Sequence, residues 1–314
     1  MSRNESERSS RIKSGFIVVG IVFILLVVIL LIPFVFKDEP RASLHGPDLS
    51  EIEYTEIFFN NGDLQLAGML ILPEGVRHFP VAVIIHGSGT SQRNSRWYLT
   101  VAKHLRDNGI AVLLPDKRGS EKSEGDWRTS TFEDLAEDTI GAIEFVKGQE
   151  QFDISYIGVI GMSQGGWIAP LVATESEDVS FVVSMSGAAV TTDEQLFYEE
   201  VNHIAGMGTY QFVARMIASI TTNNIKKREF WSYMANFDPL PYWKKVNVPG
   251  FAAFGENDTN VPVEESVKRL QALDKEMLIR VYPEGGHGIT DPNTGKVQAE
   301  YLNDLTEFIE NAGQ

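Results

Sequence analysis

Short apolar runs typical of buried β-strands alternate along most of this chain with longer segments of helical periodicity. Such alternation is typical of a mostly parallel sheet that carries helices on both faces. Runs that are apolar at nearly every position fit strands buried on both sides, as parallel strands are. The runs of this type are Val81–Ile85, Ile110–Leu114, Ile157–Ile160, Phe181–Met185, Phe251–Phe254 and Leu278–Tyr282. The sequence therefore predicts the α/β class.

A hairpin and several helices complete the predicted domain. Ile52–Asn60 and Leu64–Leu72 flank the turn Asn61-Gly62-Asp63 and are expected to pair as antiparallel strands. Ser130 and Glu133 are expected to form a capping box at the start of the clearest helix. The predicted helices are Trp97–Arg106, Thr131–Lys147, Gly165–Thr174, Val263–Leu273 and Val297–Ile309.

Charge and cysteine content exclude several classes of function. The chain has 314 residues and a net charge of −16, and the excess of acidic residues lies after residue 36. A surface this negative repels nucleic acid, so we exclude nucleic-acid binding as the main role. The chain contains no cysteine, which excludes disulfides, thiolate zinc sites and a cysteine nucleophile. No cluster of histidine and carboxylate residues stands out in the sequence, and we expect no metal and no other cofactor.

Residues 15–36 form an apolar run of 22 residues without a charged side chain. As a helix it would be about 30 Å long, the thickness of the hydrocarbon core of a bilayer. Basic residues precede the run, and the positive-inside rule then places residues 1–14 in the cytoplasm. The sequence predicts a single-pass transmembrane anchor, a linker over residues 37–50 and a catalytic domain on the extracytoplasmic side of the membrane. A cleaved signal peptide is the alternative, although its apolar region is usually shorter, about 7–15 residues.

One region interrupts the alternation of strands and helices. Residues 191–245 show helical spacing without a strand pattern, and they lie between the predicted strands Phe181–Met185 and Phe251–Phe254. An insertion at this place is predicted to form a helical lid over a site at the strand ends. The segment is rich in aromatic residues and methionine. These residues either favour apolar or aromatic acyl groups or pack the lid onto the core, and the sequence supports both interpretations equally.

The motif G-x-S-x-G at residues 161–165 lies directly after the strand Ile157–Ile160 and opens the helix Gly165–Thr174. In that context it is typical of a strained turn that lifts a serine hydroxyl out of the sheet. The N-terminus of the helix also favours the negative charge that develops during acyl transfer. Ser163 is therefore the predicted nucleophile.

A second loop with glycines, His86-Gly87-Ser88-Gly89, follows the strand Val81–Ile85. Backbone N–H groups at the end of an early strand can stabilise an oxyanion, and glycines let the chain pass close to a substrate. We predict that the N–H groups of Ser88 and Gln164 form the oxyanion hole, and that His86 has a structural role. The alternative is that these glycines only turn the chain.

The base and the acid are predicted from their places after the last two strands. His287 follows Leu278–Tyr282 and lies among glycines, so it is the predicted base. Asp258 follows Phe251–Phe254 and is the predicted acid, with Glu256 as the competing residue. The order Ser, Asp, His is the one that accompanies a G-x-S-x-G turn. The acid would hold the imidazole in the required tautomer, and the imidazole would take the proton of the serine.

Six stretches of the chain carry a resemblance to a known superfamily. They are HGSG (86–89), PDKRGSEKSEGDW (115–127), FEDLAEDTIGAIEFV (132–146), GMSQGG (161–166), FDPLPYWKKVNVPGFAAFGENDTNVP (237–262) and GGHG (285–288). With them the chain resembles the α/β-hydrolase superfamily, and within it bacterial esterases and acylpeptidases related to prolyl oligopeptidase catalytic domains and dienelactone hydrolases. The resemblance covers about residues 52–312 and implies that residues 51–314 form one α/β-hydrolase domain. It also implies that residues 116–119 shape the rim of the pocket.

Three functions follow from these residues. The first is a serine hydrolase that cleaves carboxylic esters of small molecules through an acyl-enzyme. The second is a small-peptide or acyl-peptide hydrolase with the same catalytic residues, which is less favoured because the sequence shows no propeller like that of the oligopeptidases. The third is a non-catalytic binding protein on a hydrolase fold, which would be expected to lose one of the three catalytic residues. The sequence leaves the natural substrate and the oligomeric state open.

Overall fold

The computed structural model describes residues 16–29 and 41–313. The predicted cytoplasmic segment, residues 1–14, lies outside them. So do the two ends of the predicted anchor, and residues 37–40 of the predicted linker.

An eight-stranded sheet forms the centre of residues 41–313. Its strands are β1 (Thr55–Asn61), β2 (Leu64–Ile71), β3 (His78–Ile85), β4 (Ala111–Pro115), β5 (Asp153–Met162), β6 (Val179–Met185), β7 (Gly250–Gly255) and β8 (Leu278–Tyr282). They lie across the sheet in the order β1-β2-β4-β3-β5-β6-β7-β8. β2 pairs antiparallel with both β1 and β4, and all later neighbours are parallel. The predicted mostly parallel sheet is confirmed.

Ten α-helices lie in the described residues. They are α1 (16–29), α2 (Arg96–Asp107), α3 (Phe132–Lys147), α4 (Gly165–Glu175), α5 (Thr192–Gly206), α6 (Gln211–Ile225), α7 (Glu229–Ser232), α8 (Leu240–Lys245), α9 (Val263–Gln271) and α10 (Ala299–Ala312). Helices α2 and α10 cover one face of the sheet, and α3 and α4 cover the other. Successive side chains of a strand point to opposite faces. In β3, Val81 and Val83 pack in the apolar layer under α3 and α4, whereas Ala82 and Ile84 pack in the layer under α2 and α10.

The start of α3 differs from the prediction by one residue. Thr131 and Asp134 form the capping box: the Thr131 hydroxyl accepts from the Asp134 N–H at 3.2 Å, and the Thr131 N–H donates to the carboxylate at 2.7 Å. The predicted pair of Ser130 and Glu133 is wrong. The Ser130 hydroxyl donates to the carbonyl oxygen of Asp126 at 2.8 Å, so it already has a partner in the preceding turn.

Four helices, α5 to α8, lie between β6 and β7, where the sequence predicts the lid. Trp243 of α8 returns to the main apolar layer and closes the insertion against the core. Val201 and Ile204 of α5 pack on Ala214 and Ala218 of α6 in a small apolar cluster of their own. The insertion therefore has a part fixed to the core and a part that packs mainly on itself.

The described portion of the predicted anchor is α1, whose apolar side chains are exposed to solvent, as at Phe16 and Ile24. Within residues 16–29 and 41–313, no helix is both long and apolar enough to cross a membrane. The predicted anchor, residues 15–36, extends beyond α1 at both ends into residues outside the structure, so it stays a prediction. Residues 41–48 of the predicted linker contain no helix and a single bridge residue, His45.

Candidate active site

Ser163 lies in the turn between β5 and α4, where its backbone has φ of 57°. A non-glycine residue in this left-handed region is strained, and such strain is a feature of the turn that presents a nucleophilic serine. The two flanking glycines are required by close backbone contacts. A Cβ at Gly161 would lie 2.0 Å from the carbonyl oxygen of Gly165, and a Cβ at Gly165 would lie 2.2 Å from that of Ile85.

The structure brings Ser163, His287 and Asp258 together from three loops. Ser163 Oγ lies 2.8 Å from His287 Nε2, and His287 Nδ1 lies 2.8 Å from Asp258 Oδ2. If Nδ1–H donates to the carboxylate, Nε2 is free to accept the proton of the serine hydroxyl. The Asp258 side chain is fully buried, whereas a quarter of the His287 side chain is exposed.

The second carboxylate oxygen fixes the orientation of Asp258. Its Oδ1 accepts from the N–H groups of Asn260 at 2.8 Å and Val261 at 3.0 Å. The competing acid, Glu256, instead accepts from the N–H of Glu284 at 3.0 Å in an exposed position. Asp258 is therefore the carboxylate that faces the imidazole.

The two predicted oxyanion residues lie beside Ser163 on neighbouring strand ends. Ser88 follows β3 and Gln164 opens α4, and both line the same cavity as Ser163. The N–H of Gly87 donates to the hydroxyl of Tyr98 at 2.8 Å, so it is not available to a substrate. In the described part of the chain, the N–H groups of Ser88 and Gln164 have no acceptor. They are available to bind a negatively charged oxygen.

Lys117, which follows β4, lies directly behind these two residues. Its ammonium donates to the carbonyl oxygen of Gly87 and, at 2.9 Å, to Oε1 of Gln164. The side chain is buried, and burial lowers the pKa of Lys117 to about 7. Sequence reasoning did not single out this residue, because a lysine after an apolar strand is usually solvent-exposed.

The stretch 116–119 lies beneath the site and does not line the cavity, contrary to the role implied by the resemblance. Asp116 binds the guanidinium of Arg93 in a buried pair, with bonds of 2.6 to 3.1 Å. Arg118 binds Asp138 of α3 at 2.6 and 2.8 Å. Both pairs brace the loop after β4, and only Lys117 points to the catalytic residues.

His86 has the environment of a structural residue. Its ring packs edge-on against Tyr98, with the ring centroids 4.4 Å apart. Burial is the main reason, and the nearby Lys117 ammonium a further one, why the pKa of His86 is lowered to about 3. The residue that bonds the Ser163 hydroxyl is His287, and His86 packs behind the loop.

A cavity of about 530 Å³ opens above Ser163. This volume is in the range of small-molecule sites. Its walls combine the core and the lid, and they are mainly aromatic and apolar, with Glu199 and Arg228 as charged members. The apolar side chains are those of Trp97, Trp127, Trp167, Ala188, Leu196, Ile225, Phe230, Trp231, Met234 and Val261.

Helix α5 of the insertion is bonded to the loop that carries Asp258. Tyr198 Oη donates to the carbonyl oxygen of Asp258 at 3.2 Å, and Gln195 Nε2 donates to that of Asn260 at 3.0 Å. Asn202 adds a bond of 3.1 Å to the carbonyl oxygen of Thr259. The position of α5 is thus coupled to the position of the acid.

The aromatic residues of the insertion have three different environments. Phe230 and Trp231 line the cavity. Phe237 instead packs on Phe132 of α3, with centroids 4.2 Å apart. Phe212 on α6 is about two-thirds exposed. Some aromatic residues of the insertion therefore line the cavity and others pack on the core, and the preference for apolar or aromatic acyl groups stays a prediction.

Within the described residues, no group of three or more histidine, aspartate and glutamate side chains is placed to hold a metal ion. A serine hydroxyl beside an oriented imidazole can perform acyl transfer when backbone N–H groups that have no acceptor in the described structure, such as those of Ser88 and Gln164, lie close to it.

The sequence profile of the prolyl oligopeptidase family matches residues 97–313. Esterase EstD of Thermotoga maritima is 21% identical over 290 residues, which cover 85% of this chain and 68% of that protein. The acylamino-acid-releasing enzyme of Homo sapiens is 23% identical over 257 residues, which cover 78% of this chain and 33% of that enzyme. The chain thus spans about a third of the length of that enzyme.

Solved structures share the fold at low sequence identity. An esterase of Pyrococcus furiosus has a TM-score of 0.61 at 22% identity, covering 88% of this chain and 97% of that chain. The acylaminoacyl peptidase of Pyrococcus horikoshii has a TM-score of 0.60 at 22% identity, covering 82% of this chain and 41% of that chain. These likenesses confirm the predicted α/β-hydrolase fold.

Proposed function

The chain belongs to the prolyl oligopeptidase family and is a serine hydrolase, and we propose that it cleaves carboxylic esters through an acyl-enzyme on Ser163. One observation carries the assignment of roles: His287 lies 2.8 Å from both the Ser163 hydroxyl and the Asp258 carboxylate. A base in hydrogen-bond reach of both a nucleophile and an orienting acid is the arrangement that activates serine.

In the proposed reaction, His287 Nε2 takes the hydroxyl proton as Ser163 Oγ attacks the ester carbonyl carbon. The carbonyl oxygen becomes negatively charged and accepts from the N–H groups of Ser88 and Gln164. The tetrahedral intermediate collapses, His287 donates its proton to the departing alkoxide, and the acyl group remains on Ser163. His287 then takes a proton from the water that attacks this ester and gives it to Ser163 Oγ as the acyl bond breaks, which releases the carboxylic acid and restores the hydroxyl.

Ester hydrolysis is supported over peptide hydrolysis by the extent of the likenesses. The match to EstD extends over 68% of that esterase, whereas only a third of the human acylamino-acid-releasing enzyme is matched. The cavity supports apolar or aromatic acyl groups, because Phe230, Trp231 and Met234 of the insertion form its walls. A bound acyl chain would replace water at these side chains.

Acyl-peptide hydrolysis is the second candidate, and the charged lining of the cavity favours it. Arg228 and Glu199 both line the cavity. A guanidinium can bind a substrate carboxylate, and a carboxylate can bind an amine. A small peptide with free ends carries both groups, an acyl-peptide keeps only the terminal carboxylate, and a simple ester carries neither.

We further propose that residues 15–36 anchor the chain in a membrane, with the catalytic domain on the extracytoplasmic side. The exposed apolar face of α1 supports this, as does an apolar stripe of Phe212, Met216 and Ile220 on α6. Tyr210, just before α6, donates to the carbonyl oxygen of Ile29 in α1, so the two apolar surfaces are adjacent.

The location can be tested by chemical labelling, because the chain has no cysteine of its own. A cysteine introduced at the exposed Glu144 should react with a membrane-impermeant maleimide in spheroplasts. Labelling only after lysis would contradict the extracytoplasmic assignment.

The activity is tested with the full chain in detergent, on p-nitrophenyl acetate, butyrate and octanoate and on aminoacyl anilides. Ser163→Ala should lower kcat by about 10⁶-fold, as loss of a triad nucleophile does. Ser176→Ala, at the far end of α4, is the matched control and should keep full activity.

Turnover of anilides alone would reassign the enzyme as a peptidase, and ester turnover that survives in Ser163→Ala would contradict the proposal. Equal rates on the three esters would remove the preference for apolar acyl chains.

A further inference from the structure

The ammonium of Lys117 is buried without a carboxylate partner. Asp116, its neighbour in sequence, is bound by Arg93 at 2.6 Å, and no ion pair joins Lys117 to any described residue. Burial of a charge without a counter-charge is costly, and this cost lowers the pKa of Lys117 to about 7. A group held at such cost is a candidate for a functional role.

The first acceptor of Lys117 belongs to the same peptide unit as an oxyanion donor. The carbonyl of Gly87 and the N–H of Ser88 are the two ends of one planar, trans peptide group. In such a group the C=O and N–H bonds point in opposite directions. When Lys117 holds the Gly87 oxygen, it therefore directs the Ser88 N–H to the opposite side, away from the ammonium. The bond also polarises the peptide, which strengthens its N–H as a donor.

The second acceptor belongs to the other oxyanion residue. Lys117 holds Oε1 of Gln164 at 2.9 Å, while Nε2 of Gln164 donates to Sδ of Met234 in the insertion at 3.2 Å. The side chain of Gln164 is thus fixed at both ends, and with it the start of α4. One ammonium on the loop after β4 ties the loop after β3 to the loop after β5.

We propose that Lys117 is the positioning residue of the oxyanion hole. It orients the N–H groups of Ser88 and Gln164 through the two bonds, and its positive charge lies behind the point where negative charge develops. It does not replace His287, since the hydroxyl of Ser163 bonds the imidazole at 2.8 Å. The inference rests on the proposed function and adds a group that acts on the transition state through its neighbours.

Lys117→Met tests the proposal, because it removes the charge and both donors while keeping an unbranched side chain. A donor of the hole itself is worth about 10²- to 10³-fold in kcat, so a group that orients such donors should be worth about 10- to 100-fold. KM for p-nitrophenyl butyrate should change by less than about threefold, because the interaction strengthens only in the transition state. The affinity for an alkyl trifluoromethyl ketone, which forms an oxyanion on Ser163, should fall as kcat falls. Lys117→Arg, which keeps a cation, should recover part of the loss.

Arg118→Met is the matched control. Arg118 is the next residue, equally buried, and its bonds go to α3 and the loop before it. We expect this variant to lower the melting temperature and to keep kcat within about threefold. A fall in kcat in Arg118→Met as large as in Lys117→Met would show that loosening of the loop is sufficient, and would overturn the positioning role.

Gln164→Met keeps the backbone N–H of residue 164 but removes the side-chain oxygen that accepts from Lys117. It provides a second test should Lys117→Met fold poorly. It should lower kcat by less than Lys117→Met, and the double variant should resemble Lys117→Met alone, because both changes break one connected set of bonds. Additive losses would contradict the proposal, as would a kcat within twofold of wild type in both single variants. Lack of any ester or anilide turnover by the wild-type chain would overturn the proposed function together with this inference. A normal kcat in Lys117→Met beside an inactive Ser163→Ala would overturn the inference alone.

Discussion

In the proposed reaction, the groups that move the proton lie on the loops after β7 and β8, and the groups that hold the oxyanion lie on the loops after β3 and β5. On the proton side, Asp258 and His287 act through side chains on the loops after β7 and β8. On the oxyanion side, Ser88 and Gln164 present backbone amides, and the buried Lys117 lies behind them. The imidazole remains partly exposed, whereas the ammonium is enclosed.

This difference follows from what each side does. An imidazole that gives and takes a proton must change charge in every cycle, and partial exposure lowers the cost of the charged form. An oxyanion hole acts best when its dipoles are fixed before the reaction begins. The structure therefore has one side whose imidazole changes charge during the proposed reaction and one side whose amides are held in place by hydrogen bonds.

Asp258→Asn should give the largest effect among the changes that separate the two sides. The asparagine can keep the bonds from the N–H groups of Asn260 and Val261, so the loop should retain its conformation. Its amide would face Nδ1 of His287 and favour the wrong tautomer, which typically costs about 10⁴ in kcat. Steady-state kinetics on p-nitrophenyl butyrate, with the melting temperature as control, checks this. A loss below tenfold would indicate that the acid is not Asp258.

Ser88→Ala should give a much smaller effect, because the oxyanion side acts through the backbone. Removal of the hydroxyl leaves the N–H in place, and we expect kcat to stay within about threefold of wild type. The loss in Lys117→Met should lie between those of Asp258→Asn and Ser88→Ala. If Ser88→Ala instead lowers kcat by a hundredfold or more, the hydroxyl is itself a catalytic donor.

The smallest effect is expected from the ion pair that holds α5, the helix bonded to the loop of Asp258. Arg269 of α9 binds Glu194 of α5 at 2.8 Å, and this pairing is the main reason why the pKa of Glu194 is lowered to about 2. The pair is partly exposed, so Arg269→Met should lower the melting temperature by only about 1–3 °C at pH 7. The control, Glu265→Gln, weakens the pairs that Glu265 forms with Arg269 and Lys268 within α9 and leaves Glu194 paired with Arg269.

The pH dependence of this shift has a defined sign. The folded pKa of Glu194 is depressed, so its contribution to the free energy of unfolding is complete above about pH 4.5 and is lost as the pH falls towards about 2. The difference in melting temperature between wild type and Arg269→Met should therefore shrink below pH 4.5. A difference that stays constant from pH 7 to pH 3 would show that the pair does not stabilise α5.

The sequence singled out the three residues that the structure joins by hydrogen bonds on the proton side, whereas on the oxyanion side it did not single out Lys117. Ser163, Asp258 and His287 follow strands in a fixed order, and the strand ends of a parallel sheet meet at one edge. Lys117 could not be found in this way, because its contacts depend on the strand order β4-β3-β5, which no local pattern encodes. To find Lys117 from the sequence, one would have to know that β4 lies between β2 and β3 in the sheet.

The insertion shows a similar limit. Periodicity predicted helices over residues 191–245, and helices α5 to α8 lie there. It could not sort the aromatic residues: Phe230 lines the cavity, Phe237 packs on α3 and Phe212 faces solvent. Their environments depend on how the helices pack on one another.

The most direct test of the central claim is to identify the residue that a fluorophosphonate modifies. After inactivation of the full chain, peptide mapping by mass spectrometry should find one adduct per chain, on Ser163, with loss of ester turnover in proportion to labelling. Ser163→Ala should remain unlabelled. An adduct on another residue, or full ester turnover with Ser163 completely modified, would contradict the account.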